Sequence, residues 1–287
     1  MPPRVAGIDP GTVSFGLCAL DDGEPMLERS FRSADLGVDP GPLVDALVGH
    51  GPFDVVLGPA GYGLPLVSGD RVGDEELALM LLLRSDEHGA RVGIAGLRAI
   101  VAALLDARLP LVFAPGVLHL PTVPAFRKWN RVDLGTPDKV ASAALCIADQ
   151  ARRLGIAVAE VSFVMLELGG AFAAALAVES GRIVDGIGGS SGPIGAQACG
   201  AMDGEVAYLL GPALSKQSLF TGGALDPDGA RDLSTPEALD ALWRDPGSRD
   251  GWTALEEGAV KAALTLTASV PAPREVLVSG RLAQAPG

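Results

Sequence analysis

Asp9, Gly11, Thr12 and Ser14 follow closely within Val5-Ala-Gly-Ile-Asp9-Pro-Gly11-Thr12-Val-Ser14-Phe-Gly16-Leu-Cys-Ala-Leu20, between two short apolar runs. A carboxylate is a hard oxygen donor that suits a divalent cation, directly or through its waters. A turn containing Pro-Gly that points successive backbone N–H groups outward makes a cup for an anion. Together these are the parts of a metal–nucleotide phosphate site, with Asp9 on the metal and Gly11, Thr12 and Ser14 on the phosphates. The flanking runs have strand length and composition, so the positioning elements are two β-strands, Val5–Ile8 and Gly16–Leu20. A plain β-hairpin capped by an aspartate has the same residues, and the segment alone fits both readings.

A second candidate is Glu167-Leu-Gly169-Gly170-Ala171-Phe172, where a carboxylate ends a strand and two glycines let backbone approach a phosphate. An unliganded β-turn is the competing reading. Recurrence of the β-Gly-β pattern in equivalent places of the two halves favours function. Next, the strand Ile183–Asp185 opens into Gly186-Ile-Gly188-Gly189-Ser-Ser-Gly192, either a ligand-contacting loop or a mobile surface one. Asp9, Glu167 and Asp185, each read at a strand end, form the candidate metal set. Near the C-terminus a strand runs into Ser279-Gly280-Arg281, where a glycine can lie against a base or sugar.

The elements around these turns alternate. Strands are expected at Met26–Arg32, Asp54–Leu57 and Leu111–Ala114, and helices at Pro42–Gly49, Glu75–Leu83 and Gly93–Ala107. Thr136 reads as an N-cap and Pro137 as the first helical residue of Asp138–Leu154. Its apolar face serves either a homodimer interface or packing within its own lobe. Strand, Gly turn, strand, turn, strand then repeats over Ser162–Glu167, Phe172–Glu179 and Ile183–Asp185. Residues 220–250, rich in Gly, Asp and Pro, read as a surface excursion around a short helix at Pro236–Trp243. The order fits an α/β protein of two lobes, 1–134 and 135–287.

With 35 acidic and 22 basic residues the net charge is −13, which disfavours binding to nucleic acid or an anionic membrane. It leaves room for a nucleotide held by backbone amides and a metal. No apolar run approaches bilayer-spanning length, and the first strand begins almost at once, so a cytoplasmic protein is expected. Cys18, Cys146 and Cys199 are odd in number and widely spaced, which argues for buried, reduced thiols.

These motifs resemble the superfamily of acetate and sugar kinases, chaperone ATPases and actin. Asp9-Pro-Gly11-Thr12 looks like its first phosphate motif, Glu167-Leu-Gly-Gly170 like its second and Ser279-Gly280-Arg281 like its adenosine motif. More closely, the chain is similar to an uncharacterised family of predicted butyrate kinases. The matching blocks are Gly58-Pro-Ala-Gly-Tyr-Gly-Leu-Pro65, Pro115-Gly-Val-Leu-His-Leu-Pro-Thr-Val-Pro124, Arg127-Lys-Trp-Asn-Arg131, Gly135-Thr-Pro-Asp-Lys139 and Ile183-Val-Asp-Gly-Ile-Gly-Gly189. The resemblance implies two ribonuclease-H-like lobes, an actin-like ATPase fold, with ATP and Mg2+ in a cleft between them. The chain departs from its relatives at Glu167, where many have Asp or His, and at Ala171, which replaces a third glycine. It also stops six residues after Arg281, short of the usual terminal helix.

Phosphoryl transfer needs alignment, a metal and positive groups that offset the moving charge. Arg127, Lys128, Arg131 and Lys139, four cations in thirteen residues of an acidic chain, are the candidates, against the reading of a solvated basic helix end. His119, between Leu118 and Leu120, either packs on an apolar face or donates to a carboxylate or phosphoryl group. Gly61, Tyr62 and Thr122 are candidate substrate contacts, with Lys139; Tyr62 equally suits a cover over its glycine-rich turn. A carboxylate acceptor is already ionised at neutral pH and needs no general base, whereas a sugar hydroxyl does. No carboxylate stands out for that task. The expectation is a kinase acting on a small carboxylate; a nucleotide-binding regulatory protein without turnover and a chaperone-like ATPase are the alternatives.

Overall fold

The computed structural model describes residues 3–12, 14–84, 94–231, 233 and 235–284. Tertiary contacts divide the chain into two units, Met1–His119 with Thr136–Asp138, and Leu120–Gly135 with Lys139–Gly287. The segment Leu120–Gly135 therefore packs with the second unit, ahead of the boundary expected after residue 134.

The first unit opens with a meander of β1 (Arg4–Pro10), β2 (Ser14–Asp21) and β3 (Glu24–Arg32), antiparallel throughout. Asp22 and Gly23 make the β2–β3 turn with positive φ at both positions, as a two-residue hairpin loop of matching twist requires. Alternation sets the faces. Ala6, Ile8, Phe15, Leu17 and Ala19 enter the core, while Gly7, Asp9, Gly16 and Cys18 lie on the opposite face. Helices α1 (Ser33–Val38) and α2 (Gly41–His50) lead to β4 (Val55–Leu57), which runs parallel to β1. A short β5 (Val67–Ser68), not anticipated from sequence, precedes α3 (Asp74–Leu81), α4 (Ile94–Asp106) and β6 (Leu111–Phe113). Gly93, the expected first residue of that second helix, lies outside the described residues. The sheet order is β3-β2-β1-β4-β6-β5, with β6 parallel to β4. Leu97, Ile100, Val101 and Leu104 form the apolar stripe that seats α4 on the core.

The second unit holds α5 (Ala125–Lys128) and most of α6 (Pro137–Leu154), which starts at the expected proline. A second meander follows: β7 (Phe163–Leu168), β8 (Ala173–Glu179) and β9 (Arg182–Ile187). After α7 (Gly204–Leu210), α8 (Pro236–Arg244) and α9 (Arg249–Leu266), β10 (Glu275–Ser279) returns parallel to β7. The order is β10-β7-β8-β9. The second sheet thus repeats the β4-β1-β2-β3 arrangement of the first, with the same strand directions. Both its faces are covered. Ala259, Ala262 and Leu266 of α9 pack on Val164, Leu166, Ala175 and Ala177. On the other face, Cys146 of α6 reaches Met165.

One expectation fails here, and one long helix went unread. Helix α9 was not anticipated. Residues 220–250 are also more than a surface excursion, because Leu225, Leu233 and Leu239 join Trp252, Leu255 and Leu282 in an apolar cluster. Glycine, proline and aspartate dominate that stretch, and they hide three widely spaced leucines whose burial depends on a helix further along. Among the described residues, no helix is long and apolar enough to cross a membrane.

Candidate active site

In the first unit, Asp9 lies at the C-terminal end of β1, exposed and paired across to Gly16. Its own face carries Gly7 and Gly16 as neighbours, so no side chains stand beside the carboxylate on those two positions. The following turn is held by Gly11 N–H donating to the Asp9 carbonyl (3.1 Å) and by Ser33 Oγ donating to the Gly11 carbonyl (2.7 Å). Thr12 is exposed and Ser14 begins β2. Because β1, β4 and β6 are parallel neighbours, the segments after them leave from one end of the sheet. Asp9 sits at that end of β1, and the segments after β4 and β6 carry Gly61 and Tyr62, then His119. Tyr62 N–H donates to the Met80 carbonyl (2.9 Å), and His119, its Nδ1 shielded from solvent, ends a short turn fastened to the Gly116 carbonyl (2.9 Å). Loops beyond the C-terminal ends of parallel strands are where α/β sheets bind ligands.

The second unit repeats this layout. Glu167 occupies in β7 the place of Asp9 in β1, two residues before the turn glycine, and Gly169 N–H donates to the Phe172 carbonyl (2.9 Å). The two turn glycines therefore spend their amides inside the turns, a departure from the outward-facing cup expected of them. Gly280 follows β10 at φ +92°, and a Cβ there would meet the Leu168 backbone at 2.5 Å, so only glycine lets this loop lie against the end of β7. Arg281 Nη1 donates to the Leu233 carbonyl (3.2 Å). β9 is parallel to β7, so Gly188 and Gly189 leave from this same end, Gly189 against the Phe172 ring. Lys139 Nζ stands 3.1 Å from Glu167 Oε2, both side chains largely buried. Gly169, Gly170, Gly188, Gly189, Gly280, Glu167 and Lys139 are thus gathered at one sheet end.

Residues 7–286 match the model of a family described as protein of unknown function (DUF1464). The chain belongs to that family. No curated protein matches it. Solved structures similar to it include a propionate kinase from Francisella tularensis subsp. tularensis SCHU S4, with TM-score 0.63 and 12% identity over 98% of this chain and 84% of that one. The acetate kinase of Porphyromonas gingivalis gives TM-score 0.61 and 13% identity over 96% and 82%. That of Entamoeba histolytica gives 0.60 and 10% over 97% and 82%. At such identities the likeness establishes the fold: this DUF1464 chain has the actin-like ATPase fold, built from two ribonuclease-H-like lobes.

Other candidate residues of this family member are engaged elsewhere. Arg127 Nη1 donates to the Val184 carbonyl (2.7 Å), and its Nε lies 3.4 Å from Asp185 Oδ2. Thr122 Oγ1 donates to the neighbouring Ile183 carbonyl (2.5 Å). These two side chains fasten the edge strand β9. Asp185 is inside β9, which runs on to Ile187, and it also accepts from Ser269 Oγ (2.5 Å) and Gly186 N–H (2.9 Å). Lys128 Nζ donates to the Leu120 carbonyl (2.8 Å), and Arg131 is exposed. The four cations therefore do not converge on one point of this unit. The cysteines are half-buried and free, and desolvation pushes each thiol's pKa up, which keeps them poor nucleophiles.

Among the described residues, no group of three or more His, Cys, Asp or Glu side chains is arranged to hold a metal. Magnesium can also be held in a sparser way, through one carboxylate with waters and substrate phosphates completing the shell. Asp9 is an exposed carboxylate at a strand end. Glu167 has an ammonium against it, and Asp185 has a guanidinium.

Sequence reading missed Asp133. The residue is 5% exposed, and its carboxylate accepts from the amides of Gly135 and Ser190. A lone aspartate between Val132 and Leu134 gives no local sign of burial; only the fold brings Ser190 to it.

Proposed function

We propose that this chain is an ATP- and Mg2+-dependent phosphotransferase whose acceptor is a small carboxylate, in the manner of butyrate kinase. The observation that carries the reading is the recurrence, at the end of the equivalent strand in each sheet, of a carboxylate two residues before a turn glycine: Asp9 with Gly11, and Glu167 with Gly169. The neighbours named for acetate and propionate kinase activity support the same class.

In this reading, Asp9 holds the metal through oxygen, and the amides of Thr12 and Gly170, next in each turn, meet phosphate oxygens. Magnesium supplies charge neutralisation on the transferring phosphoryl group. Lys139, 3.1 Å from Glu167, provides a cation at the second turn that can meet a phosphate oxygen. Gly188, Gly189, Gly280 and Arg281 border the nucleoside, and Gly61, Tyr62 and His119 border the acceptor. A carboxylate acceptor attacks as the anion it already is, so the protein needs to align it and exclude water rather than remove a proton.

The test pairs titration calorimetry of Mg-ATP with hydroxylamine trapping of acyl phosphate from a panel of short-chain acids. Acyl hydroxamate is expected with wild type and is lost in Asp9→Ala. Equal rates in the two proteins would overturn the role of Asp9. A second reading, a nucleotide binder without turnover, is favoured by the Lys139–Glu167 ion pair, which occupies the second-turn carboxylate. Mg-ATP binding with no hydroxamate from any acid would select it.

A further inference from the structure

Asp133 is a buried carboxylate whose contacts are neutral donors. Oδ1 accepts from Gly135 N–H (3.0 Å), and Oδ2 accepts from both Ser190 N–H (2.9 Å) and Ser190 Oγ (3.0 Å). The Asp133 carbonyl takes a further bond from Ser191 Oγ (2.5 Å). Gly188 lies so close that a Cβ there would overlap the carboxylate. One side chain is thereby in contact with the backbone of residues 135, 188 and 190. Among the described residues this buried carboxylate is satisfied by hydrogen bonds from its own stretch, at Gly135, and from the distant Ser190; such a group is costly to leave half-made, so the two stretches are held by it together.

Gly135 lies just ahead of Thr136-Pro137, the entry to α6, the helix that presents Lys139 to Glu167. Ser190 lies in the glycine-rich loop beyond β9, at the sheet end that carries Gly169 and Gly280. We infer that Asp133 is a positioning residue that couples this loop to the α6 entry, so that the loop glycines and Lys139 keep one mutual arrangement around an anionic ligand. The ligand part of the inference rests on the phosphotransferase reading; the coupling itself does not.

The experiment compares wild type, Asp133→Asn, Ser190→Ala and Ser190→Thr by amide hydrogen exchange and by Mg-ATP calorimetry. Asparagine turns an NH2 group toward one set of donors and breaks that set directly; because both segments are held by the one side chain, D133N is expected to speed exchange at the other set as well, so that Gly135 and Ser190 rise together. Losing a hydrogen bond to a charged acceptor predicts about tenfold weaker Mg-ATP binding in D133N, and a smaller loss in S190A that S190T restores. Should D133N fail to fold, the S190A and S190T pair carries the same comparison. Wild-type exchange rates at residues 135 and 190 in D133N, or a rise at only one of them, would overturn the coupling. Faster exchange with unchanged Mg-ATP affinity would reduce Asp133 to a structural residue and overturn the positioning role. If wild type itself binds no Mg-ATP, the phosphotransferase reading falls, and the exchange data alone decide the coupling.

Discussion

Replacing Arg127 by methionine separates two roles that the sequence leaves open, holding β9 in place and meeting a phosphoryl group. Methionine keeps the aliphatic stem and removes the guanidinium. The bond from Nη1 to the Val184 carbonyl, 2.7 Å and charge-assisted, is worth about 1.5–3 kcal/mol. The 3.4 Å pair with Asp185 adds about 0.5–1 kcal/mol, since both side chains keep about a fifth of their surface in solvent and Asp185 retains Ser269 and Gly186 as donors. The second unit should lose about 2–4 kcal/mol in all. Urea unfolding followed by tryptophan emission reads this unit selectively, because Trp129, Trp243 and Trp252 all lie in it. With a slope of about 2 kcal/mol/M, the midpoint should fall by about 1–2 M. A midpoint within about 0.2 M of wild type would refute the structural assignment. Loss of acyl-phosphate formation at an unchanged midpoint would then return Arg127 to the chemistry.

Two further outcomes follow from packing and charge. Arg153 grips Asp149 (2.6 Å) and Glu275 (2.8 Å), and with Gln150 it holds the Glu275 carboxyl below its usual pKa, as Arg153 also does for Asp149. A lowered folded-state pKa means stability that is complete above the ordinary carboxylate range and fades as pH falls through the depressed values. Thermal stability should therefore drop below about pH 4, with a shallower acid decline in Glu275→Gln; identical acid limbs would count against the cluster. Leu225→Ala should cost about 2–4 kcal/mol and shift Trp252 emission, because both side chains share one buried cluster. A change under about 0.5 kcal/mol would restore residues 220–250 to the surface.

Both turns of the candidate site were legible from residue types alone. Pro10-Gly11 and Gly169-Gly170 interrupt apolar runs, and a turn, like the proline start of α6, is decided by torsional preferences of adjacent residues. Strand alternation then fixed which side chains share a face with Asp9. The partners of charged groups were not legible. Arg127 and Lys139 belong to one short basic stretch, yet one fastens an edge strand and the other faces the second-turn carboxylate. A cation's role depends on which oxygen lies within a few ångströms, and that oxygen is supplied from far along the chain. Asp133, helix α9 and the leucines of 220–250 went unread for the same reason. Local sequence by itself determined where the chain must turn and placed Asp9 and Glu167 at strand ends, though not Asp185, which β9 runs past. Tertiary packing alone decided which charges are buried, what satisfies them, and which glycines are indispensable because another segment lies against them.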